Sequence, residues 1–364
     1  MNELIETQMA ESIAKAWQET QAIVPDIRIR EAAKALNSSE AQLVATMVGK
    51  EAIRLKSDWK NLLKRLPELG RVMSLTRNDA CILEHKGVFE KVRVFGKKDH
   101  HMAIVIGPIE TRIFLKSWHV AFAVKQQKKN RLLTSLQFFD HEGHAITKIY
   151  LEKESNYEAY EALVKDFKSN DQGKEQEVSV YPPEIYEKDL DIESLLQDWS
   201  NLKDTHDFFP MLKNHKAQRY HAVELAEGKF TYQVNISTVQ EILEKASMRQ
   251  LPIMIFVGNR GNLQIHQGTV RTIRLLERGH TSIEKWLNVL DPNFNMHLKM
   301  NLVHTAWVVS KPTNDGIITS VEFYDKKQRL IVQFFGLRKP GSTQNADWSA
   351  LVSELPKVES SAIE

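Results

Sequence analysis

Residues 81–93 read CILEHKGVFEKVR, and residues 262–274 read NLQIHQGTVRTIR. Laid over one another, they match His85 with His266, Gly87 with Gly268 and Arg93 with Arg274, 181 positions apart. Further along, AFAV from Ala121 answers AWVV from Ala306, and LTSLQFFD from Leu133 answers ITSVEFYD from Ile318, each 185 positions on. The order is kept and the spacing is close to half of the 364 residues. That indicates a duplicated domain rather than a solenoid, whose repeats recur every ~20–50 residues.

Both halves share one texture. In the first, IREAAKALNSSEAQLVATMVG carries helical periodicity broken by Asn-Ser-Ser, which caps a second helix, and WKNLLKRLPEL follows as another. Short β-branched and aromatic runs come next (VMSLTR, CILEHKG, FEKVRVF, TRIFL, HVAFAVK, LTSLQFFD, AITKIYL), separated by turn residues such as those of Asp140–Gly143. The second half repeats the strand runs from LPIMIFV to LIVQFFGLR. Helices followed by an antiparallel sheet make the fold class α+β. NYEAYEALVKDF is one amphipathic helix, and the polar stretch after it, with Pro182 and Pro183, reads as a linker. The expected organisation is a first repeat half over 1–167, a linker over 168–190 and a second half over 191–364.

Composition narrows the function. Hydrophobic residues make up 42% and charged residues 26%, enough to build a core. Lys and Arg number 49 against 47 Asp and Glu, so no excess of positive charge points to nucleic acid. Cys81 is the only cysteine, which excludes an intrachain disulfide and a cysteine-based zinc or iron–sulfur site within one chain. The N-terminal stretch has no apolar run of signal or membrane-spanning length, so a cytoplasmic protein without a membrane span is expected. GNRGN at Gly258 leads from one strand into another and is a turn, not a phosphate loop. His100 and His101, and His141 with His144, read as solvated loop side chains rather than metal ligands.

One stretch stands apart, DTHDFFPML from Asp204. Asp204 suits an N-cap, and Asp207 takes the acidic place of a capping box, putting His206 in the first helical turn. The helix dipole there disfavours imidazolium, and Phe208 and Phe209 follow. From these residues alone two readings stand: a surface histidine before core phenylalanines, or an iron ligand beside an apolar pocket.

WSNLKDTHDFFPMLKNHKAQRYHAVELA, IMIFVGNRGNLQI, KPTNDGIITSVEFYD and QFFGLR, with RNDACILEHKG, TRIFLKSW and LQFFDHEGHAITKIY in the first half, resemble the HemS/ChuS haem-utilisation proteins over nearly the whole chain. The resemblance implies a large antiparallel sheet with helices in each half and haem in a cleft. It implies that His206 is the axial ligand, that Arg112 and Phe114 lie on the distal side, and that Arg219, Phe256, Lys311, Gln333 and Arg338 are further pocket contacts. Haem is a flat apolar disc with two carboxylates, so aromatic walls and cations at one rim suit it. Arg112 can stabilise an iron-bound oxygen species without ligating, which makes it the catalytic candidate. QFFGLR carries Phe335 where relatives often have tyrosine, and the loop before Trp286 is longer than usual.

The resulting expectation is a haem-binding protein that receives imported haem and cleaves it oxidatively to free iron and a linear tetrapyrrole. No flavin or nicotinamide loop is present, so an external reductant or reductase supplies electrons, and a haem importer or acceptor protein is a further partner. The alternative is a non-catalytic carrier that delivers haem to another enzyme. Only one strong site is expected, because the first half has no counterpart of DTHDFF.

Overall fold

The computed structural model of the protein describes residues 2–96, 101–128, 130–278, 284–339 and 341–358. His100, and the loop of residues 279–283 before Trp286, lie outside them. The chain forms two compact units: unit 1 comprises 1–77, 84–182 and 258–264, and unit 2 comprises 78–83, 183–257 and 265–364. The main passage from one to the other falls between Pro182 and Pro183. A short piece of each half of the sequence is therefore built into the unit made mostly by the other half.

Unit 1 begins with α1 (Asn2–Ile23), α2 (Ile29–Ala35) and α3 (Glu40–Ala45). The Asn-Ser-Ser break does cap α3: Ser39 accepts from the Gln42 N–H while the Gln42 side chain accepts from the Ser39 N–H. After β1 (Ala52–Arg54) and α4 (Trp59–Arg65) come β2 (Gly70–Arg77), β3 (Cys81–Gly87), β4 (Lys91–Phe95), β5 (Met102–Ile106), β6 (Glu110–Phe114), β7 (Val120–Lys128), β8 (Arg131–Phe139) and β9 (Ala145–Ser155). They pair antiparallel in the order β1-β7-β8-β9-β2, with β4-β5-β6 as a separate meander. Helix α5 (Tyr157–Phe167) is capped by Asn156 and buries Tyr160, Leu163 and Phe167 with Leu62, Leu63, Leu136 and Ile149.

The stretch after α5, which composition marks as a tether, is held to unit 1 as far as Pro182 without helix or strand. Arg54, itself buried, donates to the Gln176 side chain at 2.6 Å and to the carbonyls of Gly173 and Glu175 at 3.1 and 2.6 Å. Tyr181 N–H donates to Glu142 at 3.0 Å.

Unit 2 contains α6 (Ile192–Ser200), α7 (Phe208–Asn214), α8 (Arg219–Leu225), β10 (Thr231–Val234), α9 (Thr238–Met248), β11 (Ile253–Gly258), β12 (Asn262–Gly268), β13 (Ile273–Arg278), β14 (Glu284–Leu290), β15 (Phe294–Lys299), β16 (Thr305–Thr313), β17 (Gly316–Tyr324), β18 (Leu330–Gly336) and α10 (Ala346–Ser353). Its order, β10-β16-β17-β18-β11, is that of unit 1 with nine added to each number, and β13-β14-β15 forms the second meander. The duplication read from sequence is thus a duplication of topology. The division between units runs through β3 and β12.

Strand alternation gives the unit 2 sheet two distinct faces. One carries Val321, Phe323, Phe334, Ile253 and Ile255 into a core with α9 and with Trp348 and Leu351 of α10. Each such side chain contributes about 1.5–3 kcal/mol by leaving water. Gly336 is required here, since a Cβ would meet the Trp348 side chain at 2.6 Å. The other face turns Trp307, Val309 and Tyr324 toward α6, α7 and α8, and also bears Lys311, Ser320, Glu322 and Gln333. Among the described residues no helix is long and apolar enough to cross a membrane.

Candidate functional site

His206 lies in a 3-10 turn, Thr205–Asp207, that runs directly into α7. The predicted capping box is present: Asp204 accepts from the His206 N–H at 2.8 Å, and Asp207 accepts from the Asp204 N–H at 3.0 Å. Asp204 also holds the imidazole through Nδ1. This fixes the proton on Nδ1 and leaves Nε2 as the donor atom for a metal, the arrangement in which an outer carboxylate orients a ligating histidine. The side chain is 91% exposed. The N–H of His206 above all keeps the Asp204 carboxyl below its usual range against the opposing effect of burial, with smaller help from the His206 imidazole and Arg338.

The two phenylalanines diverge. Phe208 is buried, edge-on to Trp199 at 4.6 Å, whereas Phe209 is 70% exposed. Arg338 reaches this end of unit 2 by pairing with Asp315 at 3.3 Å, and the adjacent Asn314 N–H donates to the Lys203 carbonyl at 3.0 Å.

Behind the turn, three of the sequence-predicted contacts meet on one carboxylate. Arg219, the first residue of α8, makes a two-pronged contact with Glu322 at 2.6 and 2.8 Å. Lys311 approaches Glu322 at 3.4 Å, and Gln333, directly opposite it in the sheet register, donates at 2.8 Å. Ser320 and Tyr324 donate to it at 2.9 and 2.6 Å. Burial alone would raise Glu322, but Arg219 and Lys311 outweigh it and hold the carboxyl well below the usual carboxylate range. Burial pushes Lys311 down to about 8. Phe256, opposite Gln333 in register, meets Phe335 edge-on at 5.1 Å, and Phe335 lies under the Lys311 ammonium at 5.4 Å.

Arg112 and Phe114 belong to unit 1, on β6. The Arg112 guanidinium pairs with Glu110, two residues away on the same strand face, at 2.8 Å and stays partly exposed. The loop histidine His144 forms a close group with Asp140 and Glu142. Asp140 is occupied by the N–H groups of Glu142 and His144, and Glu142 by Tyr181, as turn residues are.

Sequence reasoning missed Glu110 and Glu322. Glu110 carries no signal beyond its i,i+2 spacing from Arg112. Glu322 does: it stands in ITSVEFYD where the duplicated LTSLQFFD has the neutral Gln137, a charge appearing at a strand position that its neighbours bury.

Residues 37–167 and 216–355 match the haemin-degrading HemS.ChuX domain, and the chain belongs to that family. The two matches correspond to the two repeats and leave the His206 turn between them. The chain is 31% identical to the hemin transport protein HemS of Yersinia enterocolitica, over 95% of its own length and 98% of that protein. Among solved structures it is similar to holo-PhuS, a heme-binding protein from Pseudomonas aeruginosa, with TM-score 0.91 and 38% identity over 96% of this chain and 99% of that one. It is also similar to ChuS, described as an E. coli heme oxygenase, with TM-score 0.83 and 30% identity over 94% and 99%.

Proposed function

We propose that this chain is a cytoplasmic haem-utilisation protein that takes up imported haem through His206 and cleaves it oxidatively, drawing electrons from an external donor. Haem is its ligand, in keeping with the family and with relatives named for haem binding, hemin transport and haem oxygenase activity. The observation that carries the assignment of the ligand is the exposed His206 imidazole, its Nδ1 engaged by Asp204 and its Nε2 open. The surroundings fit a porphyrin: Phe209 offers an exposed aromatic face, and Arg219, Lys311 and Arg338 supply positive charge for the propionates, with Phe256 and Gln333 on the same sheet face as Lys311.

In this reading haem supplies the iron at which oxygen is activated, and the protein supplies orientation and charge. Asp204 engages the His206 ring at Nδ1 and so orients Nε2 toward a ligand. Arg112, its guanidinium held by Glu110, would be the donor of N–H groups at a bound haem, and Phe114 on the same strand face would add an apolar side chain. The transport name of the Yersinia relative favours a second reading, delivery of intact haem to another protein.

Hemin titration of the purified chain, followed in the Soret region beside His206→Ala, tests the site. The expected result is saturation at one haem per chain with a sharp band that the variant loses or shifts. Coincident curves would remove His206 as the ligand. Adding reductant and oxygen in the presence of catalase then separates the two roles: loss of the Soret band with a tetrapyrrole product supports cleavage, whereas an unchanged spectrum with rapid transfer to apomyoglobin supports delivery.

A further inference from the structure

The duplication reveals that Glu322 is not demanded by the fold. On β8, Gln137 faces Lys148 in the register in which Glu322 on β17 faces Gln333. Unit 1 has a buried acid elsewhere, at Glu40, the first residue of α3, bonded to Lys148 at 2.8 Å. Unit 2 has Arg219 at the first residue of α8 and a second cation, Lys311, where unit 1 has Gln126. Where unit 1 has this acid on a helix beside one lysine, the unit that carries the His206 turn has it on a strand between two cations.

Those cations converge on one ring. The Arg219 guanidinium lies 4.9 Å and the Lys311 ammonium 4.8 Å from the centre of Phe208, two residues beyond His206. Glu322 is fully buried and Lys311 nearly so, while the Arg219 side chain remains 24% exposed. Without the carboxylate, two like charges would crowd a buried aromatic face with nothing to offset them. Lys148, whose Glu40 partner is close at 2.8 Å, is held above the ordinary lysine value despite burial, whereas Lys311, at 3.4 Å from a Glu322 that also binds Arg219, is pushed below it. Glu322 offsets part of the burial and of the Arg219 repulsion that push Lys311 down.

We propose that Glu322 is a positioning residue of the haem site: it holds the Arg219 and Lys311 cations together on Phe208, and so sets how strongly the chain prefers haem with free propionates over an uncharged porphyrin ester. The proposal rests on the haem reading above and adds the residue that governs its anion recognition.

The test compares the full chain with Glu322→Gln and Glu322→Asp, titrating ferric haem and haem dimethyl ester in parallel, with far-UV circular dichroism as a check on folding. Wild type is expected to prefer haem, and Glu322→Gln to lose haem affinity by roughly tenfold while its ester affinity moves much less, closing the gap between the two. Glu322→Asp, which keeps the charge but withdraws it by one methylene, is expected to fall between them. Equal losses for haem and ester would reduce Glu322 to a purely structural role, and unchanged haem affinity would overturn the proposal outright. Should Glu322→Gln fail to fold, Glu322→Asp decides: a preference equal to wild type overturns the proposal, and a reduced one supports it. A wild type that binds neither compound removes the haem reading itself, an outcome distinct from failure at Glu322.

Discussion

His266 shows how a repeated residue can be structural. It and its counterpart His85 are both buried; His85 contacts Gln264 through Nδ1 at 2.7 Å, and His266 stacks on Phe294 with ring centres 3.7 Å apart. Burial pushes the His266 imidazole down to about 4. An unfolded histidine takes up its proton near 6.5, so between those values the unfolded chain binds more protons than the folded one. Stability is therefore complete above pH 6.5 and declines as pH falls toward 4, by about 1.4 kcal/mol per unit at most from this group. Urea denaturation of wild type and His266→Gln across that range is expected to show a shallower acid decline in the variant; parallel curves would contradict it. His206 is the opposite case, a histidine outside the repeat whose capping partners could be read from Asp204 and Asp207 alone. Glu322 stands out against its repeat counterpart Gln137, but its partner could not be read, because Arg219 lies more than 100 residues earlier in the chain.

At the level of elements, the strands and the capped α2–α3 pair were legible because periodicity and caps are local signals. α1 and the closing α10 were not singled out: α1 lies outside the repeat, and α10 is short and apolar, buried through Trp348 and Leu351. The turns between paired strands carry more than sequence suggested. Asn259 accepts from the N–H groups of Gly261 and Asn262 at 3.0 Å and donates to the carbonyls of Arg77 and Ile146 at 2.9 and 2.8 Å. Asn78 repeats the motif, accepting from Ala80 and Cys81 and donating to the Ile331 carbonyl at 2.8 Å. Each such bond contributes about 0.5–1.5 kcal/mol, more when a buried partner is stranded. Asn259→Ala is expected to cost roughly 2–4 kcal/mol in urea denaturation, since it leaves the Arg77 and Ile146 carbonyls without their donor. A cost below about 1 kcal/mol would show that these carbonyl bonds do not set the scale.

For the whole molecule, the duplication was plain in CILEHKG and NLQIHQG, but the exchange of short segments was not, because matching strings report ancestry and not which unit a strand completes. Residues 258–264 supply unit 1 with the Gly261 carbonyl that receives the Phe114 N–H and the Trp118 indole N–H, both at 3.0 Å, and with the Gln264 amide that donates to the Ser74 carbonyl at 3.1 Å. A fragment of residues 1–182 would leave those groups unanswered. Expressed alone it is expected to be unstable or aggregated, and a version with residues 258–264 appended through a flexible linker should show sharper cooperative unfolding; indistinguishable melting of the two would argue that unit 1 is already complete. The exchange also bears on how such a protein can change over generations. A substitution arising in the second copy at these positions is judged by selection through the first copy, so this duplicated chain is free to specialise at its helix starts and strand faces, as Glu40 and Arg219 have done, but must drift in concert at its turns.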